Sequence, residues 1–173
     1  RLATGQSALL GGKVLIDGQP ICRPMAQDQR VAYIAENPSQ MMLFQDMSYL
    51  RNLTFCLPRQ IDSWLRQRSI YRSLRCELTP ELGAVFDKDI RDLNAQEKYA
   101  LIFRRVLLQQ PRVVFFEQPF WGNDVLLQQY IERQVQLLLA QRIAVVVLIV
   151  GIYDAFPLAE RTLIYKNGHL LPQ

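Results

Sequence analysis

The chain has 173 residues, 50% of them hydrophobic, with 20 Lys and Arg against 16 Asp and Glu and a net charge of +4. That length and apolar content support one domain with a sizeable core and exclude a disordered chain. The mild charge gives no ground for a nucleic-acid partner. The longest apolar run, Ile143 to Val150, is far short of the roughly 20 residues a membrane-spanning helix needs. No leader-peptide pattern opens the sequence. Cys22, Cys56 and Cys76 are widely spaced and lack companion histidines. They therefore argue against disulfides or a zinc site and for a reducing compartment.

In chain order, residues 13–17 read as a strand that turns at Asp17-Gly18, and residues 30–35 as a second strand. From Met47 to Leu93 runs a helical, charge-rich block with Pro58 and Pro80 as breakers. Within it, Ile61, Leu65, Tyr71 and Leu74 fall near one helical face, while Arg66, Arg68, Arg72 and Arg75 lie largely elsewhere. Residues 94–109 read as a helix, 112–116 as a strand and 124–140 as a helix carrying Leu127, Ile131, Val135 and Leu138 at helical spacing. Two further strands follow, 143–150 and 161–166. The strands at 112–116 and 143–150 are too apolar for one exposed face. His169, beyond Gly168 in the closing turn, is expected at the surface.

The most informative stretch is Val113-Val114-Phe115-Phe116-Glu117-Gln118-Pro119. A buried strand there delivers an acidic residue, an amide and a proline to its carboxyl end, where open α/β sheets place ligands. The surrounding motifs resemble, in order and spacing, the ATP-binding cassettes of ABC transporters. Glu117-Gln118-Pro119 stands where that family has Asp-Glu-Pro, and Asp124 falls at its D-loop aspartate. Leu93-Asn94-Ala95-Gln96 followed by helix 97–108 and Pro111 parallels the Leu-Ser-Gly-Gly signature and its helix. Val31 to Pro38 is similar to the strand entering the Q-loop, with Glu36 in place of Gln. Leu43-Phe44-Gln45-Asp46-Met47-Ser48 with Asn52, the Gly12 to Gly18 hairpin and the closing segment from Ala159 to Leu170 each repeat a family pattern.

The resemblance implies a P-loop NTPase-like α/β fold: a mostly parallel sheet flanked by helices, with residues 1–46 and 93–173 as core and 47–92 as helical subdomain. Gly12-Lys13 is not a phosphate loop, because Val14 offers no hydroxyl for Mg²⁺ and the segment opens a strand. Arg1 to Gly5 would instead be the last turn of the helix after that loop.

At the family's Mg²⁺ position stands Glu117, one methylene longer than Asp. An amide, Gln118, replaces the catalytic base and cannot accept a proton near neutral pH. It can still hydrogen-bond a water, as some phosphoryl-transfer enzymes use glutamine. At the Q-loop, Glu36 adds negative charge beside phosphates. Ala95 and Gln96 place Cβ atoms where glycine N–H groups would approach a γ-phosphate, while Asn94 is well suited to cap a helix. The switch histidine would fall at Val150 or Gly151, neither of which can donate to phosphate.

So altered, the cassette is expected to hydrolyse ATP very slowly or not at all. ATP and Mg²⁺ are implied for the full-length protein, with no tight binding to the chain as given. The implied partners are a transmembrane permease subunit and a second, active cassette, which would place the protein in the cytoplasm on the inner face of the membrane. The missing switch histidine and Lys166-Asn167-Gly168-His169-Leu170 resemble degenerate second cassettes of tandem sugar importers, whereas Pro119 to Asp124 resembles lipid-transport cassettes. A sugar importer is favoured. A non-transport interaction module on the same scaffold, and an active ATPase using Glu117 for metal and Gln118 for water, remain as alternatives. The block between Q-loop and signature carries Arg51, Arg59, Arg66, Arg68, Arg72 and Arg75 against Asp62 alone within residues 51–76. A solvated basic face is the plain reading of it. The functional reading is a docking surface with Tyr49, Phe55 and Trp64 as anchors, since aromatic and Arg side chains dominate interface hot spots.

Overall fold

A computed structural model describes residues 13–21, 28–55, 68–70, 72–76, 84–120, 122, 124–150 and 157–172. Arg66 and Trp64 of the expected docking surface, Gly151 and residues 1–12 lie outside these. The first described elements are β1 (Leu15–Ile16) and β2 (Gln19–Pro20), paired antiparallel. Asp17 at φ 52° and Gly18 at φ 74° make the tight turn between them. Positive φ at both central residues is the hairpin geometry that Asp-Gly favours.

The centre of the molecule is a parallel sheet of β3 (Val31–Ile34), β4 (Val113–Glu117) and β5 (Ala144–Leu148), in that order. Tyr33 pairs with Phe115, and Phe115 with Val146, so both ladders are in continuous parallel register. Ala32, Ile34, Val114 and Phe116 point to one face and are buried. That face meets α3 (Ala95–Gln109) and α4 (Val125–Ala140). On α4 the buried residues are Leu127, Ile131, Val135 and Leu138, the set expected from helical spacing. Phe103 of α3 meets Phe116 edge-on at 5.9 Å.

The opposite face is more open. Along β5 every second residue is exposed, with Val146 at 39% and Leu148 at 41%. The expectation that strand 143–150 is buried on both faces is therefore not met among the described residues. Its Val-rich sequence signals β propensity, which β-branched residues carry on half-buried strands as well. β6 (Leu163–Lys166) and β7 (His169–Pro172) form an exposed antiparallel hairpin that turns at Asn167 and Gly168, and His169 is exposed as expected.

Two short helices, α1 (Pro38–Met41) and α2 (Tyr49–Thr54), pack on α3. The N-terminal N–H groups of α2 are satisfied from across the block: Tyr49 N–H donates to Lys88 O at 3.2 Å and Leu50 N–H to Phe86 O at 3.3 Å. Tyr49 is 1% exposed and lies beside Phe86. It is thus a core residue, which corrects its assignment as a docking anchor. The reason is the helical stripe Tyr49, Leu50, Leu53, which turns inward as one face. Residues 68–70 and 72–76 are helical, with Arg68 and Arg72 exposed. Cys76 is a free, exposed thiol.

Candidate functional site

β3 and β4 are parallel neighbours, so their carboxyl ends emerge at one edge of the sheet. That edge carries Glu36, two residues beyond β3, together with Glu117 and Gln118 at the end of β4. All three are half-buried. Gln118 has left-handed backbone, φ 43°, and its N–H donates to Leu148 O at 2.7 Å, which extends the β4–β5 ladder by one residue. A non-glycine residue with positive φ is uncommon and often marks a functional turn. Glu117 faces the same side as Phe115 and Tyr33, and its Oε2 accepts a hydrogen bond from the Tyr33 hydroxyl. Tyr33 is a member of the site that sequence reasoning missed. The signal was the alternation of the strand, which puts Tyr33 and Ala35 on the face opposite Ala32 and Ile34.

The remaining expected site residues sit at helix starts. Asn94 caps α3: its Oδ1 accepts from Glu97 N–H at 2.8 Å, and Glu97 Oε2 accepts from Asn94 N–H at 2.8 Å. This reciprocal capping box satisfies donors that a helix N-terminus otherwise leaves open. Ala95 and Gln96 form the first turn and are exposed. Asp124 caps α4 through its Oδ1, which accepts from Leu127 N–H at 2.8 Å. So Asn94 and Asp124 spend their side-chain oxygens on the backbone, where each stabilises a helix by about 1 kcal/mol. Val150 is exposed at the end of β5.

The loop from β3 to α2 is held by two polar residues. Asn52 is fully buried and clamps Phe44, Met47 and Ser48 through its amide. Arg105 of α3 is 8% exposed and donates to Met42 O. The Phe44 ring meets that of Phe55 at a 60° tilt with centres 4.4 Å apart, and both are exposed beside the loop.

Two carboxylates, Glu36 and Glu117, lie at this edge. Magnesium is commonly held by one or two carboxylates together with substrate phosphates. Among the described residues no three His, Cys, Asp or Glu side chains are grouped to hold a metal. Glu117 already holds a phenol hydrogen. The described residues therefore do not fit a metal held by the protein alone. Further from the edge, burial pushes the Tyr49 phenol up from 10 to about 12. Burial raises that of Tyr130 as well.

Fold and edge define the class: a parallel α/β layer of the P-loop NTPase kind, with an acidic residue and an amide at the ligand-bearing end of its central strand. The structure of CbiO1 from Clostridium perfringens, described as part of the ABC transporter complex cbiONQ, superposes with a TM-score of 0.72 at 17% identity, over 98% of this chain and 68% of that one. Curated relatives point the same way. A putative ribose/galactose/methyl galactoside import ATP-binding protein of Pseudomonas fluorescens is 26% identical over 93% of this chain and 33% of its own length. The molybdenum import ATP-binding protein ModC of Mycobacterium tuberculosis is 26% identical over 92% of this chain and 43% of its own length. A probable sulfate/thiosulfate import ATP-binding protein, CysA of Chlorella vulgaris, is 21% identical over 99% of this chain and 71% of its own length. No protein-family profile matches the chain. The fold is that of CbiO1 and these relatives are import ATP-binding proteins, so the chain is similar along nearly its whole length to ABC-type nucleotide-binding domains. It spans a third to less than half the length of the first and second relatives just named.

Proposed function

We propose that the chain belongs to a degenerate ATP-binding cassette subunit of an ABC importer, which turns over ATP very slowly or not at all. In this reading it serves as the structural and regulatory partner of a second, active cassette. The observation that carries the proposal is Gln118. It stands at the base position with its backbone N–H tied into the β4–β5 ladder, and its amide has no proton-accepting state near neutral pH. Glu36, Ala95, Gln96 and Val150 add departures at positions that would face phosphate. Losing one donor or base commonly costs about 10²–10⁴ in rate. Such losses are not additive, yet together they leave little turnover.

What remains is a scaffold. Residues 1–46 and 93–173 would form its core and 47–92 its helical subdomain, seated against a permease on the cytoplasmic face of the membrane. Among the described residues no helix is long and apolar enough to cross a membrane. The sugar-importer reading is supported by a relative named for ribose and galactose import and another for xylose import, although sulfate and molybdenum importers are matched too. Any binding of ATP and Mg²⁺ rests with the full-length protein in this reading. The chain as given binds neither tightly.

Docking is assigned to the basic block, with Arg66, Arg68, Arg72 and Trp64 against an acidic surface of the permease or partner cassette. The test is assembly. Full-length protein co-expressed with its permease should co-purify with it, and reversing Arg66, Arg68 and Arg72 to Glu should abolish the complex with near-UV dichroism unchanged. Undiminished assembly of the triple variant at physiological salt would return the block to a solvated face.

A further inference from the structure

The carboxylate at the metal position of this cassette already has a partner inside the sheet. Tyr33 and Phe115 are register partners on parallel strands, and side chains two residues apart share a face, so Tyr33, Phe115 and Glu117 lie on one side. From there the Tyr33 hydroxyl donates to Glu117 Oε2. We propose that Tyr33 is a positioning residue that holds the Glu117 carboxylate in place of a divalent cation, closing the metal position from within the fold. The proposal rests on the cassette reading above.

Two observations support it. The first is reach. Diagonal neighbours on one face of paired strands lie within reach of aromatic and long side chains, at about 7–8 Å in antiparallel pairs. Tyrosine supplies most of that length and glutamate the rest. The second is environment. Both side chains are half-buried, where a hydrogen bond to an ionised oxygen is stronger than one between neutral groups in water. A cation would have to displace the hydroxyl from Glu117, and Mg²⁺ tolerates little departure from octahedral geometry.

Mn²⁺ is the probe, followed by the paramagnetic signal of the free ion over the full-length protein, with and without ATP. Removing the hydroxyl in Tyr33→Phe should tighten Mn²⁺ binding roughly tenfold, the equivalent of one hydrogen bond to a charged group. Adding Glu117→Gln to that variant should erase the gain. A second measurement needs no variant at Tyr33 to fold. In protein carrying ¹³Cζ-tyrosine and no metal, Glu117→Gln should shift the Tyr33 resonance, identified as the one missing from Tyr33→Phe or, if that variant fails to fold, by sequential assignment. Equal Mn²⁺ affinity with and without the hydroxyl, a gain that survives Glu117→Gln, or an unmoved Tyr33 resonance each overturns the proposal. ATP turnover enters neither readout. A hydrolysing protein would therefore sink the degenerate-cassette reading and leave the Tyr33 contact to be judged by its own result.

Discussion

Asn52 and Tyr49 are neighbours on α2, both fully buried, and their polar groups are treated in opposite ways. The Asn52 amide accepts from Phe44 N–H at 2.8 Å and donates to the carbonyls of Phe44, Met47 and Ser48 at 2.9, 3.2 and 3.3 Å. Replacing it with alanine strands those backbone groups without water. Asn52→Ala should therefore lose about 2–4 kcal/mol in a urea unfolding curve, more than one average hydrogen bond is worth. The Tyr49 hydroxyl is buried with no hydrogen-bond partner. Tyr49→Phe removes an unpaid desolvation and should leave stability at neutral pH unchanged or raise it by about 1 kcal/mol.

The same residue sets an alkaline limit. Its folded phenol titrates near 12 against 10 for the free group. Above pH 10 the unfolded chain releases this proton first, so stability is complete below pH 10 and falls as pH rises toward 12. The gap amounts to roughly 3 kcal/mol, and Tyr49→Phe should flatten that limb in melts run from pH 9 to 12. Asn52 was legible as part of a family pattern, but its job was not, because a pattern does not show which atoms it clamps. Tyr49 was misplaced for a related reason: an aromatic residue in a basic block reads equally as anchor or as core until its helical neighbours Leu50 and Leu53 are seen to share its face.

At the scale of elements, helix starts and sheet strands were readable because their signals are local. Asn94 with Glu97 three residues on is a capping signature before an apolar run, and the structure forms both of its hydrogen bonds. Asp124 precedes a clear helical stripe in the same way. Asn94→Ala and Asp124→Ala should each cost about 1 kcal/mol by chemical denaturation, and the double variant about the sum, because the caps lie on separate helices. A capping role for both residues is thus enough to explain their presence without any nucleotide. Long-range relations were less legible. Sequence alone did not bring Tyr33 to Glu117, since 84 positions separate them and only strand register unites them. Nor did apolar content reveal which face of β5 is open. The helix-facing side is the buried one: Phe116→Ala, which opens a cavity against Phe103, should cost about 3–5 kcal/mol.

For the whole molecule, the strand order β3-β4-β5 with α3 and α4 on one face is what makes the resemblance physical. It brings three of the expected site residues, Glu36, Glu117 and Gln118, to one edge of a sheet, although they come from distant parts of the chain. Fold class was legible because the order and spacing of many weak motifs agree, and the superposition on CbiO1 shows the same fold. Activity is a different matter, since a fold does not fix function, which resides in the site it carries. The central claim is that this site does not turn over ATP. The most direct measurement is steady-state phosphate release by the purified full-length protein at saturating Mg·ATP. Turnover should sit near background, and Gln118→Glu alone should raise it little while the signature and switch positions remain altered. A rate of about 1 s⁻¹ or above, the ordinary range of enzyme turnover, would contradict the account.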